Sequence, residues 1–543
     1  MSLDPITVEV VRHKLDGIAN EMQSTLLRSS FSPIVKEGLD ASAGLFTAEG
    51  VTLSQACAIP IHLATLIPMV RKVIETFPVA EMRAGDTFLL NDPYEGGTHL
   101  PDIALIQPIL VEGRLIAFSA ALTHHQDMGG MIAGSVPTNS TEIYQEGLRL
   151  PPLRYREDGR VNETLVRILR SNVRIPDTVM GDVNAQMAAC SVGARRLAAL
   201  AGRYGAEHLT AIFADLLDRS EIMTRQALAR IPEGTYRAVD WLDNDGVDLD
   251  RPIRLEVAVT LRDRAIHLDF TGTSPQVRGP LNCVPSGTLA AACFAIRALT
   301  DSSIPTNGGC FRPISLHIPE GTILNPREPA AVNARTATIK RVAGMILAAF
   351  AEVMPERVPA ASAGEMVMLT FGGQRGDGSQ FVTGDQIAGG SGAARGSDGV
   401  DVIETDATNG MNLPAEAMEM ETPIRLNRVT LRPGSGGAGT WRGGLGTIRE
   451  YEVLGEDVAV SYRGERHFSA ARGVAGGADG AMARGTILRA DGSTEVIRSK
   501  IVTRMRRGDR ILVETAGGAG YGPPAERDAA AGEADRRNGK TTV

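Results

Sequence analysis

Cysteine and aromatic residues are both scarce in this sequence of 543 residues. None of its five cysteines belongs to a Cys-x-x-Cys pair, so neither a thiolate zinc site nor a disulfide framework is expected. Aromatic residues make up only 4% of the chain, so the core must depend on aliphatic packing. No apolar run is long enough for a membrane span, and the N-terminus lacks the features of a signal peptide. Together these absences predict a cytoplasmic protein with reduced thiols.

Positively charged residues are in the minority, since 56 Lys and Arg stand against 64 Asp and Glu, for a net charge of −8. Nucleic acid is therefore not expected as a partner, because phosphate binding needs a basic face, and no membrane partner is expected either. With 43% hydrophobic and 22% charged residues, the composition is that of an ordinary folded protein. The length exceeds what one hydrophobic core supports, so several domains are expected.

The sequence pattern changes near residue 235. Apolar spacing in residues 5–27 predicts an amphipathic helix, and helical patterns are frequent up to residue 235. After that point alternating apolar residues predict strands, and glycine-rich passages are frequent. We therefore predict an α+β (mixed α/β) fold, with a helix-rich N-terminal domain in residues 1–235 and a β-rich, glycine-rich C-terminal domain in residues 236–524. The small and charged residues 525–543 are expected to form an unstructured tail.

Only nine histidines occur, yet three of them lie between residues 91 and 130, in NDPYEGGTHLPDIALIQPILVEGRLIAFSAALTHHQDMGG. Two apolar runs flank the turn residues VEGR, so this segment predicts a β-hairpin that turns near Gly113. Pro108 in the first arm indicates an edge strand or a β-bulge. Reflecting the chain about Gly113 puts Asp102 opposite His124, and the Cβ atoms of such a pair are about 4.5–5.5 Å apart.

His99 precedes Asp102 across a Leu-Pro bend, so three side chains converge at the open end of this hairpin. Two imidazoles and one carboxylate form an open ligand set that suits zinc, manganese or iron(II) and leaves positions for water and substrate. Such a metal lowers the pKa of its bound water toward about 7. The alternative, from spacing alone, is a polar turn whose side chains face water.

Three neighbouring carboxylates and imidazoles are further candidates. His125 and Asp127 are expected to orient substrate as catalytic residues beside the metal, because adjacent residues of an extended chain point to opposite sides. Asp40 lies where a loop enters a strand, and it is either a fourth carboxylate ligand or a cap or turn residue.

Two other features are interpreted as structural. Three passages are rich in glycine, residues 371–399, 432–451 and 515–524. None of them has the phosphate-loop pattern G-x-x-x-x-G-K-[ST], so their glycines indicate tight turns and close approach of strands. Cys310 has no identifiable base beside it, which favours a buried small residue over a nucleophile.

Several long motifs, in the same order, resemble those of the hydantoinase B family: NDPYEGGTHLPD, THHQDMGG, DFTGTSPQVRGPLN, GSGGAGTWRGGLG and TAGGAGYGPP. The resemblance extends from about residue 5 to residue 524. The family includes the second subunit of N-methylhydantoinase, the C-terminal half of ATP-dependent 5-oxoprolinase, and subunits of caprolactamase and of acetone and acetophenone carboxylases. The sequence departs from the family pattern in GGSGAARGSDGVD and in VNARTATIKR, which replaces a typical Gly-Asn.

The resemblance implies metal ligands at His99, Asp102 and His124, with Asp40 as a further ligand. It implies one divalent metal, zinc or manganese first and iron as the alternative. It also implies a hydantoinase A-like partner subunit that holds the ATP.

The chemistry implied is ATP-dependent hydrolysis of a cyclic amide, in which the partner phosphorylates the amide and this metal-bearing subunit hydrolyses it. The enzyme alternative is a subunit of an ATP-dependent ketone carboxylase of the acetone or acetophenone type. The non-enzyme alternative is a scaffold subunit with a structural metal, and the open ligand set counts against it because structural sites are closed. The ring or ketone, the metal and the subunit stoichiometry are left open.

Overall fold

Helices and separate β-sheets alternate along the computed structural model, which describes residues 3–56, 58–62 and 64–541. The helices are α1 (Pro5–Ser29), α2 (Pro33–Lys36), α3 (Leu66–Thr76), α4 (Glu163–Asn172), α5 (Pro176–Tyr204), α6 (Ala206–Leu228), α7 (Pro285–Leu299), α8 (Arg335–Ala349), α9 (Ala415–Glu421) and α10 (Ala529–Arg537). Among the described residues, no helix is both long enough and apolar enough to cross a membrane. The mixed α+β class expected from the sequence is confirmed.

The first seven strands form one sheet in the order β2-β1-β5-β4-β3-β6-β7. They are β1 (Ala41–Thr47), β2 (Thr52–Gln55), β3 (Thr87–Leu90), β4 (Asp102–Val111), β5 (Arg114–His124), β6 (Leu153–Glu157) and β7 (Arg160–Val161). Helices α1 and α5 cover one face of this sheet and α3 covers the other. Because both faces are covered, β1 is buried along its whole length and shows no alternation of apolar and polar residues.

The hairpin of β4 and β5 turns at Glu112–Gly113, where both φ angles are positive, at 52° and 78°. Two consecutive positive φ angles are typical of the type I′ turn, which matches the twist of a hairpin. In the resulting register Asp102 pairs directly with His124. The pairing expected from the sequence is therefore confirmed.

A β-bulge between Ile109 and Leu110 shifts the register of this hairpin by one residue. Without the bulge, the two-residue turn would place Asp102 opposite Thr123 instead of His124, so the bulge aligns the two candidate ligands. Pro108 lies beside the bulge, within a strand that runs between β5 and β3. The bulge expected from Pro108 is confirmed, and the edge-strand alternative is wrong.

Three further sheets build the rest of the molecule. One has the order β11-β10-β9-β8 and packs against α7 and α8, while the sheets β13-β12-β16-β19 and β14-β15-β20-β17-β18 share a core. Their strands are β8 (Gly234–Leu242), β9 (Ile253–Arg262), β10 (Ala265–Asp269), β11 (Ile314–His317), β12 (Met366–Gln374), β13 (Gln380–Ala388), β14 (Ile424–Leu431), β15 (Thr447–Val453), β16 (Val458–Arg463), β17 (Arg484–Leu488), β18 (Thr494–Ile497), β19 (Lys500–Met505) and β20 (Arg510–Glu514).

The glycine-rich passages bring backbone segments into direct contact. A Cβ atom at Gly390 would lie 1.9 Å from the carbonyl oxygen of Gly444, and one at Gly518 would lie 1.8 Å from that of Ser391. Side chains cannot occupy such positions, which is why glycine is needed where backbones approach closely. The interpretation of these glycines as packing residues is confirmed at these positions.

The C-terminal segment differs from the unstructured tail expected for residues 525–543, because α10 forms at Ala529–Arg537. Asp535 on α10 is only 6% exposed and accepts hydrogen bonds from Arg527 at 2.6 Å and Arg442 at 3.4 Å. The charged residues that suggested a solvated tail therefore pair with each other and with the preceding chain. The division into domains near residue 235 remains a prediction.

Candidate metal centre

His99, Asp102 and His124 lie together at the open end of the β4–β5 hairpin. One possible ligand atom from each residue lies within 4.8 Å of the others, and the two imidazole centroids are 5.0 Å apart. The three residues are 2%, 0% and 6% exposed, respectively. The polar-turn alternative is therefore wrong, because these side chains do not face water.

The imidazole of His99 lies between two hydrogen-bond acceptors. Its Nδ1 atom is 3.1 Å from the backbone oxygen of Asn333, and its Nε2 atom is 3.1 Å from Oδ1 of Asp102 without forming a hydrogen bond. A neutral imidazole has only one N–H, so we assign the proton to Nδ1, and the Nε2 lone pair then faces the carboxylate. Two such groups repel each other unless a cation lies between them.

Asp102 has one oxygen that is occupied and one that is free. Its Oδ2 atom accepts hydrogen bonds from the hydroxyl of Thr98 at 2.5 Å and from Nη2 of Arg335 at 2.6 Å. Its Oδ1 atom has no hydrogen-bond partner in the part of the chain that the structure describes. Burial raises the pKa of Asp102, but the opposing effect of neighbouring positive charge, which includes the ion pair with Arg335, holds that pKa well below its ordinary value. The carboxylate is therefore ionised.

The protonation states of the cluster suit a divalent ion. Burial is the main cause that lowers the pKa of His99 to about 3 and that of His124 to about 4, so both rings are neutral near pH 7 and can coordinate a metal. Nε2 of His99, Oδ1 of Asp102 and Nδ1 of His124 are buried without hydrogen-bond partners within residues 3–56, 58–62 and 64–541. Two imidazoles and one carboxylate form the donor set of open metal sites, so these residues fit the expected metal.

A cavity of about 20 Å³ adjoins the cluster, which is enough space for about one water molecule. Sequence analysis missed the four nitrogen-bearing side chains that complete its wall, which are His62, Arg335, Gln386 and Arg463. They come from a 3-10 turn, from α8, from β13 and from β16, and no local pattern connects those segments to the hairpin. One signal was present, because Arg335 lies in VNARTATIKR, where the sequence departs from the family pattern.

Asp40 lines the same cavity but lies outside the cluster of three candidate ligands. Its Oδ2 atom accepts a hydrogen bond from Gln386 at 3.2 Å, and its Oδ1 atom is 3.6 Å from Nε2 of His62. Its backbone oxygen accepts a hydrogen bond from the N–H of His124 at 3.1 Å, which ties it to the hairpin. Burial raises the pKa of Asp40. The role of Asp40 as a further metal ligand remains a prediction.

His125 is directed away from the cluster, toward α5. Its Nε2 atom is 3.0 Å from the hydroxyl of Thr123 and 3.2 Å from Oε1 of Gln186 on α5, and Gln186 also donates to two backbone oxygens of the sheet. Adjacent residues of an extended chain face opposite sides, so the alternation that places His124 in the cluster takes His125 out of it. The structure therefore places His125 in a contact between the sheet and α5, and its expected catalytic role remains a prediction.

Asp127 holds a loop together and does not line the cavity. It is completely buried, and its carboxylate accepts hydrogen bonds from the backbone N–H groups of Gly129 and Gly134 at 3.1 and 3.0 Å. It also accepts from the backbone N–H and from Nη1 of Arg174 at 2.8 and 2.9 Å. Both oxygens of Asp127 are therefore engaged within the fold, and its expected catalytic role remains a prediction.

Cys310 is buried, as the sequence suggested. Burial raises the pKa of its thiol to about 11, and its Sγ atom donates to the backbone oxygen of Asn307 at 2.9 Å. The interpretation as a buried small residue is confirmed. Cys57 lies outside the described residues.

Comparison with known proteins gives matches that span nearly the whole chain. The family model for hydantoinase B/oxoprolinase matches residues 4–524. One component of a putative D-/L-hydantoinase from Pseudomonas sp. (strain NS671) is 34% identical over 549 residues, which cover 97% of this chain and 91% of that protein. The crystal structure of an ATP-dependent caprolactamase from Pseudomonas jessenii superimposes with a TM-score of 0.93 at 29% identity, covering 100% of this chain and 95% of that one.

A nucleotide-free structure of acetone carboxylase is also similar in fold. It superimposes with a TM-score of 0.90, covering 99% of this chain and 78% of that chain. The sequence identity is 21%, so this likeness shows the fold alone.

Proposed function

The chain belongs to the hydantoinase B/oxoprolinase family, and on this premise we propose that it is the metal-bearing subunit of an ATP-dependent cyclic-amide hydrolase. The relatives support this reaction class, since one is named as a component of a hydantoinase and another as an ATP-dependent caprolactamase. They are 34% and 29% identical to this chain, which favours amide hydrolysis over the ketone carboxylase alternative.

The observation that carries the proposal is the set of free donor atoms on His99, Asp102 and His124. These residues would hold one divalent ion, zinc or manganese first and iron as the alternative. When bound, the ion supplies Lewis acidity and lowers the pKa of water at the amide carbon. A structural role for the ion is less well supported, because three donors beside a cavity leave coordination positions open.

Residues around the cluster keep these donors available. The backbone oxygen of Asn333 accepts a hydrogen bond from Nδ1 of His99. Arg335 donates to Oδ2 of Asp102 and leaves Oδ1 free. Contacts of this kind fix the orientation of metal ligands and adjust their basicity. Apolar side chains form much of the remaining cavity wall and limit the entry of bulk water, which strengthens the electrostatic interactions inside: Ile59, Ile61, Val136, Met366 and Met368.

The phosphoryl step is assigned to a second subunit. The sequence contains no G-x-x-x-x-G-K-[ST] pattern, and the glycines at close backbone crossings leave no space for phosphate there. We therefore infer that a hydantoinase A-like partner binds ATP and transfers its terminal phosphoryl group to the amide oxygen. One water then adds to the carbon of the activated amide at this chain, and the ring C–N bond breaks to give an acyl phosphate and a protonated amine. A second water hydrolyses the acyl phosphate, so the products are the ring-opened amino acid and inorganic phosphate.

Asp102→Asn in the complex with a co-purifying ATP-binding subunit tests the proposal. The amide keeps the shape of the carboxylate but is a weaker ligand, so ring opening should fall by at least roughly 100-fold. ATP turnover should persist in part, because phosphorylation takes place on the other subunit. Inorganic phosphate and ring-opened product are measured together, with a hydantoin, 5-oxoproline and a simple lactam as substrates.

The matched control is Asp535→Asn, a buried aspartate in α10 outside the metal cavity. This variant should keep the ratio of product to phosphate found in the wild type. Normal product formation by Asp102→Asn would remove the metal cluster from the mechanism.

A further inference from the structure

One charged side chain in the wall of the metal cavity has no salt-bridge partner among the described residues. Arg463 ends β16, lines the cavity together with His99 and His124, and is only 4% exposed. Its Nη1 atom is buried and has no hydrogen-bond partner in the described part of the chain. Burial lowers the pKa of Arg463 only to about 10, so the group is a cation at neutral pH. The cavity therefore contains a positive charge that the fold does not use.

Two carboxylates, those of Glu465 and Glu146, favour the charged form of Arg463, but both already accept hydrogen bonds from other groups. Glu465 accepts a hydrogen bond from Nζ of Lys500 at 2.5 Å. Glu146 accepts from two backbone N–H groups at 3.0 Å each. Neither carboxylate forms a salt bridge with Arg463 within the ranges that the structure describes, although both favour its charged form.

Two other buried arginines, in contrast to Arg463, each form a salt bridge with a buried aspartate. Arg335 donates to Asp102 at 2.6 Å, and Arg449 donates to Asp385 at 2.5 Å. A buried charge without a partner destabilises a fold, so Arg463 lowers the stability of the free protein. A ligand that brings a negative charge into the cavity would relieve that penalty.

A second cavity of about 30 Å³ adjoins the first, and the two share His124, Val136 and Met368. Much of its wall is apolar, through Pro33, Ile34, Val382 and Leu413. Each cavity holds about one or two water molecules, so a larger ligand must displace wall side chains. Met368 is suited to such movement because its side chain is unbranched. A cationic cavity beside an apolar one matches an oxyanion joined to aliphatic carbon.

We propose that Arg463 binds the oxyanion of the ligand at the metal centre, so that the species acted on here is an anion with an aliphatic part in the adjoining cavity. The identity of the reaction rests on the proposed function, whereas the anion site is open to direct measurement. The oxyanion has two possible sources, a carboxylate on the substrate ring or the phosphoryl group on the amide oxygen. A guanidinium binds either of them through paired, charge-assisted hydrogen bonds.

Calorimetric titration of the full chain, zinc-loaded and metal-free, distinguishes these sources. The probes are inorganic phosphate, 5-oxoproline and 2-pyrrolidinone, which has the same ring without the carboxylate. Arg463→Met keeps the length of the side chain and removes its charge, while Arg463→Lys keeps the charge and loses the fork of donors. We expect binding of at least one oxyanion to weaken at least 10-fold in Arg463→Met and less in Arg463→Lys. The exposed Arg395→Met is the matched control and should bind as the wild type does.

The outcomes of the titration show whether Arg463 binds an oxyanion and which group supplies it. Arg463-dependent binding of 5-oxoproline supports the inference with a substrate carboxylate as the source, and Arg463-dependent binding of phosphate supports it with the phosphoryl group. Absence of oxyanion binding by the wild type, or equal binding by Arg463→Met, overturns it. Failure of the wild type to take up zinc contradicts the proposed function alone, because phosphate binding by the metal-free chain still measures the role of Arg463.

Thermal unfolding separates a ligand-binding role of Arg463 from a structural one. Arg463→Met should leave Tm unchanged or raise it, because it removes an unpaired buried charge. Arg449→Met should lower Tm, because it leaves the carboxylate of Asp385 buried without its salt-bridge partner. A fall in Tm for Arg463→Met as large as that for Arg449→Met would show that Arg463 is structural and would overturn the inference.

Discussion

Asp102 and His124 are direct cross-strand partners at the open end of the β4–β5 hairpin. Side chains of directly opposed residues point to the same face of a sheet, so this pairing brings a carboxylate and an imidazole to one side. A shift of one residue would turn one of them to the other face. The turn and the bulge of the hairpin therefore control the geometry of the candidate metal centre.

The turn of this hairpin gives the first prediction. Gly113 has a φ of 78°, and a Cβ atom there would meet nothing within 4 Å, so any penalty for a side chain comes from the backbone alone. Gly113→Val should lower the free energy of unfolding by about 1–2 kcal/mol, because a β-branched residue disfavours positive φ. Urea unfolding measures this, with Gly113→Asn as control, since asparagine tolerates that conformation. Equal stability of the two variants would contradict the turn assignment.

Asp127→Asn separates structural support from metal binding. The carboxylate of Asp127 accepts hydrogen bonds from Arg174 and from two backbone N–H groups, so its loss should lower the free energy of unfolding by about 1–3 kcal/mol. The metal content of the folded variant should equal that of the wild type. Loss of metal without loss of stability would contradict this and support the role beside the metal that the sequence suggested for Asp127.

The pH dependence of stability follows from the two buried imidazoles of the cluster. The pKa values of His99 and His124 are lowered from 6.5 to about 3 and about 4, so below pH 6.5 the unfolded chain binds protons that the folded chain does not. The stability involved is fully present above pH 6.5 and is lost as the pH falls toward 4 and then 3. For His124 alone the loss by pH 4 is roughly 3 kcal/mol.

Thermal unfolding of the metal-free protein between pH 7 and pH 4 measures this effect. The fall in Tm should be larger for the wild type than for His124→Gln, whose side chain does not titrate. The difference between the two proteins is the informative quantity, because Glu146 has a pKa raised to about 7 and its stability contribution changes in the opposite direction. Identical pH profiles would show that His124 is not a buried neutral imidazole.

The hairpin could be predicted from the sequence because its determinants are local. Two apolar runs around VEGR set the strands, and Pro108 indicated the bulge. Reflection about Gly113 gave the correct pair, although the turn is centred between Glu112 and Gly113. The β-bulge adds one residue to the hairpin, and this residue reconciles the pairing found by reflection with the observed position of the turn. No sequence rule predicted in which direction the bulge shifts the register.

The rest of the site could not be predicted because it depends on long-range packing. His62, Gln386 and Arg463 reach the cavity from three separate segments, and their contacts follow from how sheets and helices pack. Alternation along the strand puts His125 on the opposite face from His124, but its contact with Gln186 depends on the packing of α5, which the sequence does not show. The contact of Asp127 with Arg174 could not be predicted because the two residues are distant in sequence.

The central claim is that His99, Asp102 and His124 hold a divalent metal, and elemental analysis of protein purified without chelator tests it most directly. The wild type should contain about one divalent ion per chain, and the His99→Ala/His124→Ala double variant should retain roughly a tenth of that or less. His125→Ala, which changes the adjacent histidine outside the cluster, should keep the wild-type content. Circular dichroism should show that the double variant is folded. Equal metal in the wild type and the double variant, or no metal in the wild type, would contradict the account.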